Sequence, residues 1–161
     1  MTEPETDRSL AEEQRKAIFL ALVEAQDRGA NVPDSRREVA GQFGITPTFN
    51  DGSGLSYGDY TSPRQVVTLL TKLATNSSFV DSLAVGGETG TLQNEMQGTI
   101  AQTRCRGKTG TLSAVANLAG YCQAQNGHTL AFAFLMNSVG NTNTAHAIEA
   151  NMAVALAKYD G

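Results

Sequence analysis

The chain has no excess of positive charge. Its 12 basic and 16 acidic residues leave a net charge of −4, which argues against nucleic acid as a main partner and gives no membrane-surface signal. No apolar run is long enough to span a bilayer; the run nearest the start, Ala17 to Val23, lies inside a helical pattern with acidic residues before it. The first residues, Met1-Thr2-Glu3-Pro4-Glu5-Thr6-Asp7, are acidic and polar. A secretory signal needs a positive start and an apolar stretch of ~7–15 residues, so the expectation is either a cytoplasmic protein or a piece of a longer one. Repeats and low-complexity tracts are missing. The two histidines, His128 in a turn and His146 on the last helix, have no metal-site spacing and read as surface residues. No metal or cofactor is expected.

What is present suits one folded domain over residues 1–161, with residues 1–8 disordered. A chain of 161 residues that is 40% hydrophobic can bury ~70% of its unfolded surface. Ser9-Leu10-Ala11-Glu12 is a capping box that opens a helix through about Gln26, closed by Gly29. After an Asn31–Asp34 loop, Asp34 or Ser35 caps a short helix ended by Gly44. Asn50 to Asp59 is a glycine-rich loop. Pro63 starts an amphipathic helix running to about Asn76, and Ser78 caps a further turn over Phe79 to Leu83. Gly86 to Leu92 is a second glycine-rich loop. Three apolar runs follow, the second and third separated by the turn signal Asn126-Gly127. A loop at Asn141–Thr144 leads to a closing helix from Ala145 to Tyr159. The expected class is α+β, an antiparallel sheet of at least three strands flanked by helices.

The stretch Arg104-Cys105-Arg106-Gly107-Lys108-Thr109-Gly110-Thr111-Leu112 carries the chemistry. One lysine sits between two glycines beside two threonine hydroxyls, and the glycines remove bulk so that a ligand's backbone could lie alongside. Lys108 has three readings. It is a solvated edge-strand lysine, the end of a phosphate-binding loop, or part of a Lys-Thr-Gly catalytic strand of the penicillin-recognising serine enzymes. The phosphate loop fails twice, because Gln102 stands where its first glycine belongs and a hairpin follows where a helix should. A hairpin turning at Ser113-Ala114, with Leu112 opposite Val115, also sets Cys105 opposite Cys122. These two are then either a disulfide or two small buried thiols, and a disulfide favours an oxidising compartment.

Asp51-Gly52-Ser53-Gly54-Leu55-Ser56, then Gly90-Thr91-Leu92, then Gly107-Lys108-Thr109-Gly110-Thr111-Leu112 with Ala119-Gly120-Tyr121 resemble the C-terminal half of D-alanyl-D-alanine carboxypeptidases of the S13 peptidase type, the class C low-molecular-mass penicillin-binding proteins. The resemblance runs over roughly Val39 to Leu156. It implies part of a penicillin-binding, serine β-lactamase-like transpeptidase fold, located outside the cytoplasm. It also implies cleavage of peptidoglycan peptides ending in D-Ala-D-Ala through an acyl-enzyme, and recognition of β-lactams. Lys108 matches the catalytic lysine of Lys-Thr-Gly. Thr109, Gly110 and Thr111 match the substrate-binding positions, with the Thr111 amide as one oxyanion donor. Asp51, Gly52, Ser53, Gly54 and Ser56 match a structural loop near the site. The sequence departs from the pattern in several places: no serine has lysine three residues on, none has asparagine two residues on, Glu95 stands where many relatives place a basic residue after Gly-Thr-Leu, and the first helices match the family poorly. The Ser-x-x-Lys nucleophile and Ser-x-Asn motif belong to an N-terminal half that these residues do not include, so the chain by itself is expected to be inactive. The alternative is a non-catalytic degenerate module that binds peptidoglycan peptide or a protein partner.

Overall fold

The computed structural model describes residues 32–161 apart from Gly52. The expected Ser9–Glu12 capping box, the expected helix to Gln26 with its Gly29 stop, and the expected disorder over residues 1–8 all fall outside the described residues. The chain divides into two compact units, one ending at Val80 and one running from Asp81 to Gly161.

The first unit contributes α1 (Val32–Gln42), α2 (Pro63–Leu73) and most of α3 (Ser77–Asp81). Helix α1 opens at Val32, so the expected Asn31–Asp34 loop is largely helical; a proline suits a first turn, where its missing N–H has no partner to lose. Gly44 follows α1 at φ 68°, and the Ile45 amide donates to Ala40 O at 3.2 Å, a glycine-centred stop. Ser62 caps α2 by accepting from the Gln65 amide at 3.3 Å. Asn76, rather than Ser78, caps α3, its side chain accepting from the Phe79 amide at 3.0 Å.

The second unit is a four-stranded antiparallel sheet in sequence order: β1 (Ala84–Val85), β2 (Cys105–Leu112), β3 (Val115–Gln123) and β4 (Thr129–Asn137). The three apolar runs are therefore strands, and a short edge strand precedes them at Ala84–Val85, two residues the sequence reading assigned to no element. Its two residues are too few to show a period. Helix α4 (Thr142–Ala157) starts three residues earlier than expected, because the Asn141 side chain accepts from the Thr144 amide at 3.0 Å and serves as N-cap.

Register follows from the tight β2–β3 turn, where Ala114 takes φ 58° and Leu112 lies opposite Val115. Cys105 then faces Cys122 and Gly107 faces Gly120. The cysteines are joined in a disulfide with Cα atoms 4.1 Å apart, a little under the ~4.4–6.8 Å usual for such bridges. The glycine pair is required by crowding: a Cβ on Gly120 would lie 2.0 Å from Arg106 O, and one on Gly107 would lie 2.7 Å from Ala119 O. Gly107 is thus bare for the neighbouring strand, not for a ligand. Gly110, whose nearest neighbour would be 3.8 Å away, is the glycine with room.

Helix α4 lies on one face of the sheet through Ala145, Glu149, Ala153 and Ala157, all buried and spaced four apart. Three small side chains let the helix come close, and both disulfide sulfurs touch Ala153 O at 3.7 and 3.8 Å. Leu92, Met96, Leu118 and Phe132 complete this core.

Two stability outcomes follow. Gly120→Ala should lose more than about 3 kcal/mol, the upper end of overpacking costs, because the clash is with backbone; urea unfolding reads it. Reduction of the disulfide, or Cys105→Ala with Cys122→Ala, should lower the unfolding free energy by about 2–4 kcal/mol for a loop of this kind, in the same assay with and without reductant.

Candidate active site

Alternation along β2 decides what each site residue can do. Cys105 O accepts from the Gly86 amide on the β1 side, and Arg104 O accepts from the Gln123 amide on the β3 side, both at 2.9 Å. Backbone groups of odd-numbered β2 residues therefore point away from β3, and those of even-numbered residues point toward it. Strand β1 pairs only with Arg106 and Gly107. From Lys108 onward no strand lies beside that edge among the described residues, so the amides and carbonyls of Thr109 and Thr111 face an open edge.

Side chains alternate the other way, across the two faces. Cys105, Thr109 and Thr111 turn toward α4. There Thr109 Oγ1 donates to Thr91 Oγ1 at 2.8 Å, and Thr111 Oγ1 lies 3.2 Å from His146 Nε2. Lys108 belongs to the opposite face, is exposed, and curls to the open edge, where its Nζ donates to Thr109 O at 2.6 Å. The structure therefore brings Thr109 and Thr111 together on one side of β2 and keeps the lysine on the other.

Thr109 and Thr111 border a cleft of about 190 Å³ between β2, the 3-10 turn Gly90–Leu92 and α4. Leu92, Met96, Leu118 and Ala150 form its apolar lining, and Thr91, Glu95, His146 and Glu149 its remaining polar one. His146 Nδ1 lies 2.9 Å from Glu149 Oε2. With Glu149 ionised, its carboxylate only accepts and Nδ1–H donates to it, while Nε2 faces the Thr111 hydroxyl in a role set by the ring tautomer. Hydroxyl, imidazole and carboxylate form one chain, which holds the Thr111 oxygen in a set orientation. Glu149 is only 2% exposed. Burial pushes its carboxyl above the ordinary 4.5, assisted by the Glu95 charge and opposed by His146.

The sequence reading missed this pair. His146 is half-buried and bonded on both ring nitrogens, not a surface bystander; His128 is exposed. The available signals were the three-residue spacing of His146 and Glu149, which puts them on one helix face, and a glutamate interrupting an alanine stripe. Neither says which strand the face meets.

The glycine-rich loop belongs to the first unit. Asp51 Oδ1 accepts from the amide and the hydroxyl of Ser53, both at 2.9 Å. Ser53 Oγ accepts from the Leu55 amide at 3.0 Å, and Ser56 Oγ accepts from Asn50 Nδ2 and the Gly58 amide, both at 3.0 Å. These side chains tie the loop to itself. Gly54 has φ 73°; Gly52 lies outside the described residues. The described residues include no group of three or more potential metal ligands, and no described helix is long and apolar enough to cross a membrane.

Known proteins resemble the chain over most of its length. The family model for D-Ala-D-Ala carboxypeptidase 3 (S13) matches residues 25–159. A D-alanyl-D-alanine carboxypeptidase from Actinomadura sp. (strain R39) is 40% identical over 121 residues, 70% of this chain and 22% of that protein. Penicillin-binding protein 4 from Haemophilus influenzae, solved with a β-lactam, is 24% identical with a TM-score of 0.70, over 79% of this chain and 33% of the other. A predatory endopeptidase from Bdellovibrio bacteriovorus, solved with an immunity protein, is 19% identical with a TM-score of 0.64, over 82% and 38%. The two structures share the fold: an antiparallel sheet with helices, of the penicillin-binding protein type. The chain spans about a fifth of the curated relative and about a third of each solved one.

Glu149 makes the cleft measurable through stability. A carboxyl whose folded pKa is raised favours folding fully below its unfolded value and loses that contribution as pH rises through the folded value. Unfolding free energy should therefore fall as pH rises from about 4.5 through the raised pKa, and Glu149→Gln should flatten that fall. Denaturant titrations at a series of pH values check it; identical slopes in both proteins would refute the assignment.

Proposed function

The chain belongs to the D-Ala-D-Ala carboxypeptidase 3 (S13) family, and from that premise we propose that it is the C-terminal part of a serine-type D-Ala-D-Ala carboxypeptidase or endopeptidase acting on peptidoglycan peptides. In this reading residues 1–161 form the C-terminal portion of one transpeptidase-like domain. An N-terminal portion supplies the serine nucleophile, and β2 supplies one wall of the substrate groove. The peptide lies along the open edge of β2 as an added strand. The amide of Thr111 faces the carbonyl under attack and is one of two oxyanion donors, a contact worth about 2.7–4 kcal/mol in transition-state energy. The nucleophile's own amide is the other. The Thr109 and Thr111 hydroxyls bind the terminal carboxylate, with Gly110 leaving space between them. The Lys108 ammonium leaves Thr109 O to share a proton with a hydroxyl of the partner half and to draw in the anionic substrate end. The serine attacks, the terminal D-Ala departs with the transferred proton, and water releases the acyl group.

The observation that carries the reading is the open edge from Lys108 to Leu112 within a strand whose sequence is the family's Lys-Thr-Gly-Thr. β-Lactams enter by the same route, as analogues of the peptide. The Cys105–Cys122 disulfide supports a location outside the cytoplasm, where such bonds persist.

A fluorescent penicillin tests it. The chain alone should stay unlabelled, since it has no Ser-x-x-Lys. Joined to a segment of the same gene that carries one, it should label, and Lys108→Ala should slow acylation about 100-fold or more. Labelling of the chain alone would overturn the view of its nucleophile. A joined protein that neither labels nor releases D-Ala would overturn the function and favour a non-catalytic peptide-binding module.

A further inference from the structure

The cleft between β2, the Gly90–Leu92 turn and α4 holds a feature the peptidase reading leaves unused. Glu149 is 2% exposed. One of its oxygens, Oε2, lies 2.9 Å from His146 Nδ1; the other, Oε1, is buried with no hydrogen-bond partner among the described residues. A buried carboxylate oxygen without a donor is rare and energetically poor. Glu95 lines the same cleft, and its charge bears on Glu149 unfavourably. Two carboxylates facing one space repel until a positive charge sits between them. The hydroxyl oxygen of Thr91 adds an acceptor, and among the described residues no lysine or arginine lines the cleft.

We propose that this cleft binds a primary alkylammonium group, with Glu149 Oε1 and Glu95 as its anionic partners. An ammonium has three donors and no acceptor, which matches walls made of acceptors. The volume of about 190 Å³ is well above the ~30 Å³ share of one water, and leaves room for a short alkyl stem. Leu92, Met96 and Leu118 receive that stem, as apolar surface receives the methylenes of a lysine. The ligand class is an amine-ended chain, either the side chain of a peptide residue or a small free amine. The site needs no nucleophile and does not rest on the peptidase reading.

The test uses the whole 161-residue chain, isotope-labelled, titrated with n-butylammonium chloride and followed by NMR. Saturable shifts at Thr91, Thr111, His146 and Glu149 are expected, with butanoate and n-butanol causing little or none. Glu149→Gln should weaken binding about tenfold or more. Glu95→Gln, at a half-exposed position that leaves the core untouched, should weaken it several-fold. Nα-acetyl-lysine amide separates the sources: tighter binding than butylammonium assigns the site to a peptide, and equal binding assigns it to a free amine. The proposal is overturned if butylammonium causes no saturable shift up to about 10 mM, the weak end for so small a ligand. It is equally overturned if butanoate shifts the same resonances as strongly, or if both glutamine variants bind butylammonium like the parent. Penicillin labelling of the joined protein can succeed or fail without changing any of these results.

Discussion

The pairing of β2 with β3 governs the second unit. Its register puts Cys105 on Cys122 and Gly107 on Gly120, one pair bonded and the other with no space for a side chain. A slip by one residue would send every side chain of β2 to the other face, breaking the disulfide and driving a Cβ into backbone. The register is therefore held from both ends of the strand, by the Ser113-Ala114 turn and by the cysteine bridge. From this single constraint follow the main-chain groups of Thr109 and Thr111 pointing away from β3, the position of their hydroxyls under α4, and the separation of Lys108 from them.

That separation divides the work of β2 between side chain and backbone. Neighbouring residues on a strand cannot face one pocket with their side chains, so Lys108 and Thr109 meet only at the edge, through ammonium and carbonyl. An extended peptide along this edge would be read by main-chain groups, with the lysine approaching from one face and the threonines from the other.

The α4 side carries a different chemistry. A helix packed through alanines leaves little depth for a polar group, yet Glu149 occupies the stripe and is buried at the level of the cleft. His146 satisfies half of it and ties it to Thr111, coupling the orientation of a strand hydroxyl to the ionisation of a helix carboxylate. An acceptor-rich space beside the Lys-Thr-Gly strand is unlike the anion-seeking character of Lys108 on the other face. One strand therefore has the Glu95 and Glu149 carboxyls on its α4 side and the Lys108 ammonium at its open edge.

Much of this could be read along the chain, because the relevant physics is local. The apolar runs, the Asn126-Gly127 turn and the Ser113-Ala114 hairpin that sets Cys105 against Cys122 determined the β2–β3–β4 order and the β2–β3 register. The glycine-flanked Lys108, with the Asp51 loop and Gly90-Thr91-Leu92, determined the family. The helix starts at Val32 and Thr142 and the two-residue strand β1 escaped, since caps and very short strands leave too few residues to show a period. Only the tertiary structure decided that His146 and Glu149 meet Thr111, that Gly107 is bare for Gly120, and that Glu149 keeps an oxygen without a donor. Each of these joins segments far apart in sequence, and which face of one element meets which face of another is settled by packing rather than by any periodicity within either.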